Sequence, residues 1–438
     1  MSWLLVAAVV PFVVALLVVC LRDPMGVALP VFAALIPFGG ALSVGPSRYG
    51  SVSSLMGLVL AAGLAFQLIA ARQSTARLSG LVSIWLLFLG AAGATVLWTI
   101  DRSATISGLA VLGSLIIVYS LAAMSHVDRT VLRRTENGLL VGGVTVVCYG
   151  LYQLIFLGGF PDDVPAGAAP DGRFGDHLLG PGVQAVSMLL PLVLALSRAF
   201  SETTRARRFF NAGIAPLMLW GILMTGSRTG TVAAGLALVT LAWSGPRRAR
   251  KGLLVCLGVG LAVAALVWIY QPAGVASRSF ESAASSSGRV EIWRVGLAAC
   301  SEYCVYGAGW GTYAHVYAET QASVPGARVL VGDDGAYQAH NLWLLAVVEL
   351  GIPGVVLLTW GLAQGAIDAL RLPRALRGPP MSALIGLIFA IVFLSSMEFK
   401  FFWMVLIMIT LYRNLAQSES SAAREQTRQR FGSLHRKR

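Results

Sequence analysis

Ala339-His340-Asn341-Leu342-Trp343 is the stretch on which the fold turns. A long polar loop ends at His340 and Asn341, and an apolar segment starts at Leu342. From Leu342 to Leu362 the only ionisable side chain is Glu349, with Gly351-Ile352-Pro353-Gly354 close behind it. Such a segment is long enough to cross the hydrocarbon core of a bilayer. His340 is therefore a titratable imidazole placed where water meets lipid, at a helix start.

The rest of the chain has the same character. At 56% hydrophobic and 12% charged residues, with mean hydropathy +0.74, it is not a soluble domain. Apolar runs of membrane-crossing length fall near 3–21, 25–42, 51–71, 79–98, 105–124, 138–158, 178–197, 209–225, 227–243, 252–270, 341–363 and 381–397, with a shorter one at 400–412. The expectation is an all-α polytopic membrane protein of 12 or 13 transmembrane helices. The first run is read as a span and not a cleaved signal: its apolar core is long, no basic residue precedes it, and Arg22-Asp23 follows.

Charge orients the chain. The loops around 22–23, 71–78, 128–136, 198–208, 245–251 and 364–380, with the tail from Arg413, hold 24 of the 33 Lys and Arg but 7 of the 20 acids. This is the asymmetry of the positive-inside rule, so the basic side is expected to be cytoplasmic. The high pI then reports topology and anionic lipid contact, and calls for no nucleic acid. The Arg-, Ser- and Gln-rich tail over 413–438 is expected to be disordered. The long loop 271–339 and the acidic loop 159–177 fall on the outer face, which puts His340 at the outer boundary. Whether the N-terminus is outside or inside depends on whether all thirteen spans cross.

Cys20, Cys148 and Cys256 lie in spans as small apolar residues. Cys300 and Cys304 share the outer loop, where their spacing of four favours free thiols over a bridge. No metal-ligand spacing, Walker loop or Gly-x-Ser-x-Gly elbow occurs. Gly307-Ala308-Gly309-Trp310-Gly311 is glycine-rich but follows no strand, so a phosphate cradle is a weak reading. Arg289 to Leu297 reads as a helix lying along the membrane surface, with Ile292, Val295 and Leu297 on one face. Trp310, Tyr313, His315 and Tyr317 form an aromatic stretch, readable either as a sugar-stacking platform or as the interfacial belt of a membrane protein.

Three arginines share the outer side. Arg228 lies in Thr225-Gly226-Ser227-Arg228-Thr229-Gly230, Arg289 opens the loop helix, and Arg173 lies in Asp171-Gly172-Arg173-Phe174-Gly175-Asp176. Each has an ordinary reading: a snorkelling helix end, a solvated charge, a pair with acidic neighbours. Their common location beside small residues also suits a diphosphate, since guanidinium meets phosphate oxygens in bidentate fashion. His340 is either a helix-capping histidine or a base, kept neutral near pH 7 by the positive end of the helix dipole. Glu349, nine residues on, faces roughly away from it and is either a structural hydrogen-bond acceptor or a functional acid.

His340-Asn341 and Glu349-Leu350-Gly351-Ile352-Pro353-Gly354, together with Thr225-Gly226-Ser227-Arg228, Ser287-Gly288-Arg289, Ile292-Trp293 and Gly307-Ala308-Gly309, resemble the O-antigen ligase/O-antigen polymerase superfamily of bacterial membrane proteins. Gly172-Arg173-Phe174-Gly175 is a looser match, and the resemblance is strongest over 173–360. It implies a membrane glycosyltransferase fold of the C type with a large helical extracytoplasmic loop. It divides the chain into N-terminal transmembrane helices over 1–158, a ligase-like core over 159–363, C-terminal transmembrane helices over 364–412 and the basic tail. It also implies no cofactor, neither metal nor nucleotide sugar. The implied partners are membrane lipids, a polyprenyl-diphosphate-linked glycan donor and a glycolipid or glycan acceptor. His340 would be the base, Arg228, Arg289 and Arg173 would hold the donor diphosphate, and Asn341 and Glu349 would support them. The same family motifs occur in polymerases and in transporters. A transporter would show ionisable residues at mid-membrane in paired halves, and Glu349 is the lone candidate for that.

Overall fold

A computed structural model of the 438-residue chain describes residues 14–39, 42, 51–70, 79–157, 174, 180–245, 250, 254, 258, 262, 289–327, 338–395 and 397–435. Arg173, the expected span 252–270 as a unit, and much of the two expected outer loops lie outside the described residues.

Within them, regular structure is helical apart from an isolated bridge at Ser51. Helix α1 (Val14–Arg22) and α2 (Pro24–Phe38) meet at a bend of 117°. Then follow α3 (Val52–Ala70), α4 (Gly80–Ala94), α5 (Arg102–Met124) and α6 (Arg129–Phe156). After these come α7 (Gly180–Ser201, with a turn at Met188), α8 (Arg205–Met224) and α9 (Arg228–Ser244). The loop region carries α10 (Arg289–Ala298), α11 (Cys300–Tyr303) and α12 (Tyr313–Thr320), and α13 (Leu342–Arg371), α14 (Arg374–Ala390) and α15 (Lys400–His435) complete the chain. Among the described residues six helices are long and apolar enough to cross a membrane, or seven if α1 and α2 form one span. Helices α8, α9, α14 and the start of α15 fall on further expected segments but miss that length or hydropathy.

Polar caps start these helices where their first amides need acceptors. Ser79 accepts from Val82, Asp101 from Ala104, Asp128 from Val131 and Ser227 from Gly230. Between the ends, glycines bring backbones together, as expected where van der Waals contact drives helix association. A methyl on Gly142 would lie 2.1 Å from the Ala34 carbonyl oxygen, so α6 rests directly on α2.

The basic end of the bundle is laced by ion pairs: Arg129 with Glu419, Arg133 with Glu202, Arg134 with Asp23, Arg198 with Glu136 and Arg413 with Asp368. These carboxylates are among the few acids on the arginine-rich side. Helix α15 runs on to His435, through the tail that composition leads one to expect disordered. The apolar start of α15 is anchored in the core, and farther along Glu419 pairs with Arg129 at the surface.

The opposite end is built around a break in α13. Gly351 has φ 68° and ψ −161°, outside the helical region, and Pro353 has no amide to return to the Glu349 carbonyl. The chain Val305–Gly309 fills the gap. Ala308 donates to the Val348 carbonyl (2.9 Å), Gly309 to the Glu349 carbonyl (3.0 Å), and Ile352 donates back to Val305 (3.3 Å). The Val348 and Glu349 carbonyls at the break thus each find an amide, as a break within a membrane span requires. Gly307 and Gly309 sit at φ 82° and 117°, and the amides of 307–310 are spent on Tyr303, Val348, Glu349 and Thr95, so this turn is no phosphate cradle.

Three further expectations about the loop change. Trp310, Tyr313 and Tyr317 are 0%, 3% and 1% exposed, so they are core and neither belt nor sugar platform. Trp310 meets Phe88 edge-on, joining an aromatic cluster of Trp85, Phe402 and Trp403. The buried face of α10 is Ile292, Val295 and Gly296, continued by Ala299 just past its end, whereas Leu297 points outward. This follows the helical period, and the face packs on Tyr313 and Leu344. Cys300 and Cys304 are bridged, because α11 is a single turn that tightens at Cys304 and brings the two Cα atoms to 4.4 Å.

Candidate active site

The start of α13 is fixed from three directions. Asn341 is the N-cap, its Oδ1 accepting from Trp343 at 2.9 Å and Leu344 at 3.0 Å. The Leu342 amide donates to the Ile391 carbonyl (2.8 Å), which ties the helix start to the end of α14. Ala339 is fully buried, and its carbonyl accepts from Trp293 Nε1 (2.9 Å). Trp293 itself packs on Phe393, just past α14.

Between these anchors His340 has φ 46°, the one positive φ of a non-glycine residue among the described residues. That left-handed conformation costs on the order of 1 kcal/mol for a side chain with a Cβ. A strained residue fixed by its neighbours at a cavity is where function is to be sought. The capping role belongs to Asn341, which leaves the imidazole for something else. Burial, and then the Arg289 guanidinium nearby, hold it down at about 4. Desolvation therefore does the work that the sequence assigns to the helix dipole. The ring is neutral, with a nitrogen lone pair to offer, throughout the neutral pH range.

His340 lines a cavity of about 1020 Å³ that runs from the loop end of the bundle down between α3 and α5. Its polar lining includes Ser51, Ser53, Ser54, Gln184, Ser187, Gln338, Glu398 and Lys400, and its lower walls are the mostly apolar and small residues of α3 and α5, with Ser107 and Ser114 among them. Glu398 and Lys400 are the only charged residues between Met381 and Tyr412, a stretch otherwise read as span. That isolated pair of charges is the signal by which a sequence reading could have found them.

The other predicted site residues are spread around this cavity. Arg289 opens α10, close enough to bear on the His340 imidazole. Arg228 is exposed at the first position of α9, after the Gly226 turn at φ 59°. Ser227 beside it lies against Gly182, two residues from the cavity-lining Gly180, so Arg228 sits at the rim. Neither arginine is among the residues lining the cavity. Phe174 packs on Gly150 and donates its amide to Met224, just before the same turn.

Glu349 is elsewhere. It is 3% exposed, and its Oε1 accepts the amide of Tyr313 at 2.9 Å. The Gly311 amide donates to the same carboxylate. Glu349 therefore fastens the Gly307–Tyr313 turn to the broken helix, and is not among the residues that line the cavity. On the loop's outer surface His315 Nε2 lies 3.1 Å from Asp101 Oδ2, a pair the sequence did not single out.

Two comparisons bear on this arrangement. The O-antigen ligase family model matches residues 213–359, a window holding Arg228, Arg289, His340, Asn341 and Glu349. The exopolysaccharide production protein ExoQ of Rhizobium meliloti (strain 1021) is 26% identical over 302 residues, covering 67% of this chain and 66% of that protein. The chain thus spans just under two thirds of that relative's length.

Proposed function

The chain belongs to the O-antigen ligase superfamily, and from that premise we propose that it is a bacterial multi-pass membrane glycosyltransferase acting as a glycan ligase. It takes a glycan from a polyprenyl diphosphate carrier and joins it to an acceptor hydroxyl on the extracytoplasmic face of the cytoplasmic membrane. The observation that carries this reading is His340, a neutral imidazole in a strained backbone on the wall of a large cavity.

The chemistry is a single displacement. The acceptor oxygen forms a bond to the anomeric carbon while the bond from that carbon to the phosphate oxygen breaks. The hydroxyl proton passes to the unprotonated ring nitrogen of His340, and the electron pair leaves with the lipid diphosphate. Attack from the face opposite the leaving group inverts the anomeric centre. Burial and the Arg289 charge make His340 a weak base, and a bound diphosphate would offset that charge and raise its basicity. Arg289 and the rim residue Arg228, with Arg173, would hold the diphosphate and stabilise the charge that grows on it.

A polymerase of lipid-linked repeat units would use the same atoms, with the acceptor a second carrier-linked glycan. The relative's name, exopolysaccharide production protein, favours keeping that reading beside the first. Purified protein incubated with a polyprenyl-diphosphate glycan and candidate acceptors decides between them: transfer of one block is the ligase outcome, and a ladder of lengths is the polymerase outcome. In the same assay Arg228→Ala and Arg289→Ala should raise the donor KM about tenfold or more. Unchanged donor use in both would remove them from diphosphate binding.

A further inference from the structure

The cation that faces the His340 cavity is neither of the arginines. It is Lys400, the first residue of α15, half-buried, with its Nζ donating to Ser51 Oγ at 3.1 Å. Its position joins two different environments. At the head of the cavity it stands with Ser51, Gln338 and His340. Below, the lining changes to a trough between α3 and α5.

The trough has a regular construction. On α3 it is lined by Ser54, Gly57, Leu58 and Ala61, which share a helical face, and on α5 by most residues from Ser107 to Val118, with Gly108, Leu112 and Ile116 turned away from it. Ten residues of α5 span about 15 Å along the helix axis, roughly half the depth of a bilayer core. Leu58 and Ile117 are 60% and 49% exposed, so the trough opens on the apolar flank of the bundle, the surface that meets lipid. The cavity is therefore charged and hydrogen-bonding at one end, mostly apolar along its length apart from Ser107 and Ser114, and open at the side. That matches an isoprenoid diphosphate in both chemistry and polarity.

We propose that Lys400 is a phosphate-binding residue at the head of this cavity, and that the α3–α5 trough takes the isoprenoid chain attached to that phosphate. The inference rests on the ligase reading and adds to it a residue and a path. The lysine ammonium meets the phosphate oxygens as a point charge, Ser51 orients it, and the first turn of α15 adds the positive end of its dipole. Glu398 lines the same head and confines the phosphate to the Lys400–Ser51 side. The diphosphate then lies within the cavity that His340 also lines, and the arginines approach it from the rim.

Binding of farnesyl diphosphate to purified full-length protein in detergent tests this without any transfer assay, with farnesol as the phosphate-free control. Lys400→Gln should weaken farnesyl diphosphate binding about tenfold or more, as expected for one charge-assisted contact. It should leave farnesol binding unchanged, and Lys400→Arg should restore the diphosphate affinity to within a few-fold. Unchanged diphosphate binding in Lys400→Gln, or an equal loss for both probes, overturns the assignment. Gly113→Leu, placed on the trough wall where a side chain has room, should weaken both probes together. Normal binding of both by that variant rejects the trough. If the binding pattern holds but no glycan transfer is found, the ligase reading fails and the Lys400 site stands. Transfer with normal binding by Lys400→Gln has the opposite meaning.

Discussion

The indole Nε1 of Trp293 donates to the carbonyl of Ala339 at 2.9 Å, and so pins the helix that begins at Arg289 to the residue before His340. The next residue, Asn341, is held by its own capping bonds, which leaves His340 no relaxed backbone alternative between two fixed neighbours. The strain at His340 is thus maintained by a loop helix distant in sequence. It also brings the Arg289 charge to bear on the imidazole.

Trp293→Phe removes that donor while keeping an aromatic ring against Phe393. The buried Ala339 carbonyl loses its partner, a cost of about 1–3 kcal/mol. The turnover rate should fall about tenfold, with donor KM changing less, because the base is displaced while the cavity head persists. Steady-state transfer kinetics alongside thermal unfolding would check this. Wild-type turnover would mean that the Trp293 bond does not position His340.

Gly351→Ala tests the weave across the broken span. A methyl there would lie 2.3 Å from the Val305 carbonyl oxygen, at a φ of 68°. Both effects disfavour alanine, and together they should destabilise the folded protein by at least about 2 kcal/mol. Loss of the Val305–Gly309 insertion should follow, seen as faster amide exchange at Ala308 and Gly309. A variant as stable as the parent, with those amides still protected, would contradict this account of the break.

Glu349 separates a structural carboxylate from a catalytic one. Glu349→Leu leaves the Gly311 and Tyr313 amides without their acceptor and should cost roughly 3 kcal/mol. Glu349→Gln keeps a carbonyl oxygen and should cost less than half as much, with transfer activity following stability. A glutamine variant that is stable but inactive would assign Glu349 to the chemistry.

The pH dependence has a definite sign. His340 sits at about 4 in the folded chain and near 6.5 when exposed. Between those values the unfolded state binds more proton, so stability is complete above pH 6.5 and falls as the pH drops toward 4, by roughly 3 kcal/mol. His340→Gln should remove this slope. The acid limb of kcat/KM, which reports the free enzyme, should lie near 4, and that of kcat should lie higher once the diphosphate is bound. A kcat/KM limb at 6.5 would place the imidazole in water.

Much of this was legible in the chain. Hydropathy located α3, α4 and α5 within a few residues, because lipid demands long apolar runs and the runs are bounded by charge or glycine. Helix α6 begins nine residues before its expected span and α13 ends eight residues beyond its own, where polar turns continue the helices. The structure moves the cap from His340 to Asn341, whose side chain accepts the first amides of the helix, and breaks the span at Gly351. Sequence did not reveal what fills the break. Gly307 to Gly311 looks like a loop until Val348 and Glu349 show where its amides go. Trp310 and Tyr317 look interfacial for the same reason, since nothing local indicates that the loop folds inward onto Phe88. Lys400 was hidden by its setting, an apolar stretch that reads as span and becomes a cavity wall only when α3 and α5 are placed opposite it.

The central claim is that His340 accepts the acceptor's proton, and it is measured most directly by the single-turnover rate of glycan transfer in His340→Ala against the parent. Both should be saturated with donor, and both shown to be folded by their thermal unfolding. The account predicts a rate lower by at least about a hundredfold, the contribution expected of a general base, with donor binding retained. A His340→Ala protein that transfers glycan at the parental rate would contradict it.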